Sequence, residues 1–342
     1  MVAGLEEVNI DNPTSSIEAQ TTDGLADPTP SAREVKGSKS QDQNSNARSL
    51  PQGPSLFYGA LLWRLGLCCV RLLPERMLKS IAAALVSLYA RVFPRRRETV
   101  VQNLLPAVGG QRVRAEEAAA KLFRQFSGKI VDLWRFEAGL PMDDVFGEMS
   151  GWDHFLAAQK SGRGVLIVTP HLGNWEFGAP LLTKHGYKLN VITLAEPGHG
   201  LTELRQAARA RWGIETLVIG RDPFAFVEIM RRLEAGATVA LLIDRPPKTS
   251  AVEVELFGEK FPASIAAAEL ARATNCILLP VYLPRVDGRY AAHVLPPVEY
   301  DRPTLRDRAA RQQLTQRVVT ALEPAVREHL EQWYHFVPVW KR

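Results

Sequence analysis

Apolar and polar positions fall into three regimes along the chain. Over residues 1–53, Ser, Thr, Asn, Gln, Asp, Pro and Gly dominate and no apolar run is sustained. Such a stretch cannot bury enough surface to offset the entropy of ordering it, which predicts a disordered tail. Its opening, MVAGLEEVNI, carries neither the basic start nor the apolar core of a secretory signal. Residues 55–73, SLFYGALLWRLGLCCVRLL, are strongly apolar but interrupted by Arg64 and Arg71. A membrane-crossing helix takes about 20 nearly uncharged residues. The stretch therefore reads either as an interfacial helix, with Trp63 and Arg64 at the headgroup level, or as a helix packed against the domain. A second helix over 76–93 ends at Pro94, and the basic cluster Arg95, Arg96, Arg97 follows, placed to touch anionic lipid phosphates.

Beyond residue 111 the periodicity alternates between helix and strand. A long helix is predicted over 115–138, through Phe123, Phe126, Ile130 and Trp134, and a short one over 152–159. Val165, Leu166, Ile167 and Val168 then form an uninterrupted apolar run, the signature of a parallel strand buried on both faces. Residues 189–194 and 238–243 read as further strands, 252–257 alternates, and 264–275 is helical. A strand near 277–282 and an amphipathic helix over 304–331 lead to EQWYHFVPVW. Strands separated by helices imply an α/β fold: one domain over 111–342 with a central, mostly parallel buried sheet flanked by helices. A helical, apolar and basic membrane-associating region over 54–110 precedes it.

Composition sharpens this. Hydrophobic residues make up 46% of the 342, enough for a substantial core. The net charge of +5 hides an asymmetry, because the tail holds four basic and eight acidic residues, leaving 38 basic against 29 acidic in the remainder. A basic body suits nucleic acid, anionic lipid or an acidic carrier, and the neighbouring aromatics favour lipid over nucleic acid. Cys68, Cys69 and Cys276 form no C-x-x-C pair, so neither a disulfide framework nor a zinc knuckle is supported. G-x-S-x-G, the Walker loop and H-E-x-x-H are all missing, and the chemistry below calls for no metal or cofactor.

The candidate chemistry sits in GVLIVTPHLGNWEF, residues 164–177. Pro170 stops the strand, His171 stands at its carboxyl end, Gly173 permits a tight turn, and Asn174 is a suitable N-cap for a helix through Trp175, Phe177 and Leu181. Carboxyl ends of parallel strands are where open α/β sheets bind ligands. His171 and Glu176 are five apart, about 140° on one continuous helix, but a His in the turn and a Glu in the first helical turn can meet. The imidazole could then take a proton from a hydroxyl, with the carboxylate fixing its tautomer. The same pattern also arises when Glu176 merely complements the helix dipole and His171 is a turn residue. Asp244, at the end of the strand over 238–243, is a third candidate, or a turn cap. Arg205 and Arg209, at i, i+4 on LTELRQAARARWG, can clamp a phosphate or simply face solvent, with Arg211 just beyond.

TPHLGNWEF resembles the H-x-x-x-x-(D/E) block of the bacterial late acyltransferases of lipid A synthesis, the lauroyl/myristoyl type, and of relatives that acylate phosphatidylinositol mannosides. The basic preface with Asn103 and Leu104, the segment running through the helix opened by Ser264 to ILLPVYLPR at 277–285, and the aromatic end extend the similarity over about 56–340. Where lipid A enzymes carry an Arg, the loop over 195–200 has Glu196, and Asp244 is followed by Arg245 rather than Gln, features closer to the mannoside branch. The resemblance implies a membrane-associated O-acyltransferase that moves an acyl chain from acyl carrier protein or coenzyme A to a glycolipid hydroxyl. His171 would be the base and Glu176 its support, with no acyl-enzyme, and Asn174, Arg209, Arg211, Asp244 and Arg245 would contact substrate. The cytoplasmic face of the inner membrane is the expected location. Two rival functions stay open: an acyl-thioester or lysolipid hydrolase using the same residues on water, and a non-catalytic membrane adaptor.

Overall fold

The computed structural model describes residues 59–194, 200–219 and 224–340, so the tail over 1–53 lies outside the described residues. Four helices come first: α1 (Ala60–Leu72), α2 (Glu75–Val92), α3 (Pro94–Leu104) and α4 (Arg112–Glu137). The α/β portion follows as β1 (Phe146–Ser150), α5 (Trp152–Lys160), β2 (Val165–Thr169), α6 (Gly178–Lys184), β3 (Asn190–Leu194), α7 (Leu201–Ala210), β4 (Glu215–Ile219), α8 (Ala225–Glu234) and β5 (Thr238–Leu242). The hairpin β6 (Ala251–Leu256) and β7 (Glu259–Ser264) comes next, then α9 (Ala266–Thr274), β8 (Ile277–Tyr282), β9 (Arg285–Val286), β10 (Arg289–Val294) and α10 (Arg308–Glu328).

The main sheet runs β1-β10-β8-β2-β5-β3-β4, with β9 paired to β10, and β6 and β7 form a separate two-stranded sheet. The block β8, β2, β5, β3, β4 is parallel throughout, whereas β10 is antiparallel to both β8 and β9. The expectation of a mostly parallel sheet therefore matches the architecture. The chain leaves β2, skips a position to build β3 and β4, and returns to insert β5 between β2 and β3. β8 then lies on the other side of β2, so the carboxyl end of β2 sits at a crossover in strand order, where side chains from different segments converge.

All five residues of β2 are buried, which explains the unbroken apolar run Val165–Val168. Leu166 and Val168 enter one core with residues of α3, α4, α8, α9 and α10; Val165 and Ile167 enter the other with residues of α5, α6 and α7. A sheet covered on both faces favours apolar residues along its central strand, and the one polar residue of β2, Thr169, stands at its carboxyl end.

The helical preface packs on the domain through α4. Gly66 of α1 lies so close to Trp134 that a Cβ there would meet the indole ring at 2.3 Å, which is why a glycine stands inside that helix. Lys79 of α2 reaches the fully buried Asp132 of α4 at 2.7 Å. Among the described residues no single helix is long and apolar enough to cross a membrane; α2 and α3 pass that test together but are bent by 95°. Trp63, expected at a lipid headgroup level, faces inward and is 4% exposed, so that expectation is corrected: its indole N–H serves a buried acid. Arg64, Arg95 and Arg97 are exposed and Arg96 is half-buried.

Candidate active site

β2 and β5 are adjacent, parallel and in register, Thr169 opposite Leu242. Two residues beyond each strand end therefore stand side by side, and these are His171 and Asp244. His171 Nδ1 lies 2.6 Å from Asp244 Oδ1, and the His171 backbone N–H donates to Asp244 Oδ2 at 2.9 Å. The same Oδ2 accepts from the indole N–H of Trp333 and from Nε2 of His335, both at 2.9 Å. These donors arrive because the C-terminal segment runs back along the turn. Tyr334 N–H donates to the His171 carbonyl and Gly173 N–H to that of Gln332, both at 2.9 Å.

Gly173 makes this crossing possible. Its φ is +58°, and a Cβ would stand 1.8 Å from the carbonyl oxygen of Leu283, the neighbour across which the turn passes. Asn174 follows, but its side chain does not cap the helix as expected. The chain forms a 3-10 turn over Trp175–Phe177 before α6, and Asn174, fully buried, has both side-chain polar atoms without a partner among the described residues.

The carboxylate expected behind His171 was that of Glu176, and here the geometry corrects the sequence reading. The 3-10 turn carries Glu176 away from the imidazole and toward α7. There Arg205 donates to it at 2.7 Å, and Arg209 donates at 3.1 Å from Nε and 2.9 Å from a terminal nitrogen. Arg205 also reaches Glu137 of α4 at 3.3 Å. Arg205 and Arg209 are thus committed to a protein acid rather than exposed for a phosphate. Arg211 bonds the Glu137 carbonyl, apart from the His171 cluster. Arg245 is exposed, yet close enough for its charge to be felt at His171 and His335. The loop over 195–199, with Glu196, lies outside the described residues.

Electrostatics follow from burial and these partners. Burial pushes the His171 imidazole down to about 4; Asp244 opposes this, and Arg245 and His335 add to it. The ring is therefore neutral at pH 7, and with Nδ1 engaged by Asp244 its Nε2 carries the lone pair. Burial works against ionisation of Asp244, but His171 and His335 hold its carboxyl well below the usual range. Glu176 behaves likewise, its burial outweighed by Arg205, Arg209 and Lys129. Lys129 of α4 is 3% exposed, with Nζ 3.0 Å from the Trp175 ring centroid, and Trp175 stands edge-on to His171 at 4.7 Å. Donor atoms of His171, Asp244 and His335 all lie within 4.8 Å of one another. The 2.6 Å between Nδ1 and Oδ1 is that of a hydrogen bond, however, and shorter than the ~3.3 Å between two ligands of one tetrahedral zinc ion. Beside the cluster, between the sheet and α6, an apolar cavity is lined by Phe155, Leu182, Leu189, Ile214 and Val281. Trp175, Glu176 and Arg209 also line it.

A buried His–Asp pair at the carboxyl end of a central strand, an H-x-x-x-x-E turn and an apolar cavity form one neighbourhood, and the profile of bacterial lipid A biosynthesis acyltransferases matches residues 54–342. This chain belongs to that family. Within this acyltransferase family it is similar to the phosphatidylinositol mannoside acyltransferase of Mycobacterium tuberculosis, 30% identical over 202 residues, which are 58% of this chain and 60% of the relative. It is also similar to the enzyme of that name from Mycolicibacterium smegmatis, 29% identical over 227 residues, which are 64% of this chain and 71% of the relative. The chain thus spans about three-fifths of the mycobacterial protein's length in the first of these matches.

Four neighbours of the candidate site escaped the sequence reading. Trp333 and His335 were visible as part of an aromatic cluster, but nothing local linked them to a strand end some 90 residues earlier. Lys129, within the helical text of α4, and Glu137, at its last residue, are charges that read as solvent-facing. Both are buried because α1, α7 and the C-terminal segment cover α4.

Proposed function

We propose that this protein is an O-acyltransferase that moves a fatty acyl chain from a thioester to a hydroxyl of a membrane glycolipid, with His171 as general base. The observation that carries this reading is the His171–Asp244 pair, with Nδ1 engaged at 2.6 Å and Nε2 left for a substrate proton. Nε2 takes the proton of the acceptor hydroxyl, and the oxygen forms a bond to the thioester carbonyl carbon. The C–S bond then breaks, and the departing thiolate collects the proton from the imidazolium. Asp244, ionised and held by Trp333, fixes the tautomer and stabilises the imidazolium, as in other His–carboxylate pairs. Glu176 in this scheme anchors the turn on α7. The apolar cavity beyond Trp175 suits the acyl chain, each buried methylene contributing about 0.8 kcal/mol.

The surface of α1 and α2 supports action at a bilayer. Leu61, Leu65, Cys68 and Leu72 fall on one stripe of α1, and Met77, Ile81, Leu85, Leu88 and Val92 on one stripe of α2, all exposed. Exposed Arg64, Arg71 and Arg91 flank these stripes, and Arg95 and Arg97 follow. An apolar stripe bordered by arginines fits an anionic lipid surface, in the manner of an interfacial helix. The inner-membrane cytoplasmic face, where acyl thioesters are made, is the proposed location. Acceptors of two kinds are proposed, a mannosylated phosphatidylinositol, as in the names of the mycobacterial relatives, or a lipid A precursor. Acyl carrier protein and coenzyme A are both proposed as donor.

The test is incubation of the full chain on phosphatidylglycerol-containing vesicles with labelled palmitoyl thioesters of both carriers and each acceptor, read by mass spectrometry, beside His171→Ala. An acceptor gaining one acyl chain with the unmutated protein alone supports the reading. Free palmitate without acyl-acceptor would assign a hydrolase instead. Equal product from His171→Ala would remove His171 from the chemistry.

A further inference from the structure

A chain of buried polar contacts connects α1 to the His171 turn. The Trp63 indole N–H donates to Glu137 Oε2 at 2.5 Å, Arg205 donates to Glu137 Oε1 at 3.3 Å, and Arg205 donates in turn to Glu176 at 2.7 Å. Trp63, Glu137, Arg205 and Arg209 are all at most 6% exposed. On α1 the Trp63 side chain points opposite to the exposed Leu61, Leu65 and Leu72, so the helix bearing the apolar stripe also carries this N–H.

We propose that Trp63 and Glu137 are positioning residues for the site: the indole N–H holds the Glu137 carboxylate on Arg205, and Arg205 so held fixes Glu176 and the turn carrying His171. The proposal rests on the acyltransferase reading for its kinetic test but stands on these contacts. Glu176 and Glu137 together balance Arg205 and Arg209 when both acids are ionised. Around Glu137 lie Trp63 from α1, Arg205 and Arg209 from α7, Glu176 from the turn, and Arg211, which bonds its backbone carbonyl. Burial pushes the Glu137 carboxyl up, and Arg205 and the Trp63 N–H pull it back. Without the indole donor the acid takes a proton at higher pH, Arg205 loses one partner, and Glu176 is left with an altered clamp.

The experiment compares Trp63→Phe, which keeps an aromatic ring but removes the donor, with Glu137→Gln and the double variant, all in the full chain on phosphatidylglycerol vesicles. For Trp63→Phe, the acid limb of the kcat profile is expected to move about one pH unit to the alkaline side, roughly one lost hydrogen bond, with KM little changed. Glu137→Gln lowers kcat without that movement, and the double variant matches Glu137→Gln. Hydrogen exchange of the peptide over 171–177 rises in both single variants. A loss in Trp63→Phe equal at every pH, additive behaviour in the double variant, or unchanged exchange over 171–177 would each overturn the proposal. Absence of acyl transfer by the unmutated protein would sink the functional reading alone, because the exchange measurement still decides this one.

Discussion

Asp244→Asn is the substitution that most directly tests the assignment of the acid. It preserves shape and removes one charge, and the surroundings dictate how the amide must sit. At Oδ2 the donors include the backbone N–H of His171 and the indole N–H of Trp333, neither of which can accept. The amide oxygen must therefore occupy the Oδ2 position, which puts the NH₂ group where Oδ1 stood, 2.6 Å from His171 Nδ1. An NH₂ in that place needs an acceptor, so Nδ1 gives up its proton and Nε2 becomes protonated. The ring is then in the wrong tautomer to take a hydroxyl proton. In serine proteases the same exchange costs about 10⁴ in kcat, or about 5 kcal/mol of transition-state stabilisation. The assay is steady-state acyl transfer to a vesicle-borne acceptor, run well below the melting temperature of every variant, with Glu176→Gln in parallel. Asp244→Asn should lose about 10³- to 10⁴-fold in kcat with KM little changed. Glu176→Gln leaves buried Arg205 and Arg209 undercompensated, at about 3–5 kcal/mol, and should chiefly lower the melting temperature. If Glu176→Gln matched His171→Ala in kcat while Asp244→Asn stayed within tenfold of the parent, the pairing argued here would be refuted.

Three further outcomes are expected. The His171 pKa is lowered on folding from 6.5 to about 4, so the unfolded chain binds more protons in that window and stability rises with pH there; thermal scans should show about 3 kcal/mol lost from pH 7 to 4, and a flatter profile for His171→Asn. Gly173→Ala meets both a φ of +58° and the Leu283 carbonyl, and should cost about 2 kcal/mol or more, lowering the calorimetric melting temperature by several degrees. Leu65→Glu with Leu85→Glu places charges on the exposed stripes and should abolish flotation with phosphatidylglycerol vesicles while leaving the melting temperature within a degree or two, since neither side chain is buried.

What could be read from the text and what could not separate along physical lines. β2 was legible because a strand covered on both faces is drawn to apolar residues at successive positions, and the run Val165–Val168 says so locally. β4 was not singled out, although Thr216–Ile219 are strand-forming residues: it lies at the sheet edge, only half-buried, and nothing in its own text says which neighbour it pairs. Of the helices between 54 and 110, α1 and α2 were legible, α2 within a residue of the expected bounds at each end, whereas α3 was read only as Pro94 and a basic cluster, and the direction Trp63 faces depends on Glu137, 74 residues away.

The identity of the acid behind His171 shows the same limit most sharply. Local spacing favoured Glu176, because a turn and the first helical residues lie within reach of one another. Asp244 lies 73 residues downstream, and its place depends on whether β5 lies next to β2, a fact of strand order that neither segment encodes by itself. Once adjacency and register are known, the pairing requires little more, since each residue lies two positions past its strand end. The same topology explains what Glu176 does instead. With the imidazole already held from the β5 side, a second carboxylate on that ring would repel the first inside a water-poor site, whereas two arginines on α7 offer it full compensation. The motif residue therefore faces away from the base it was expected to support, and the structure uses it to hold the turn in place.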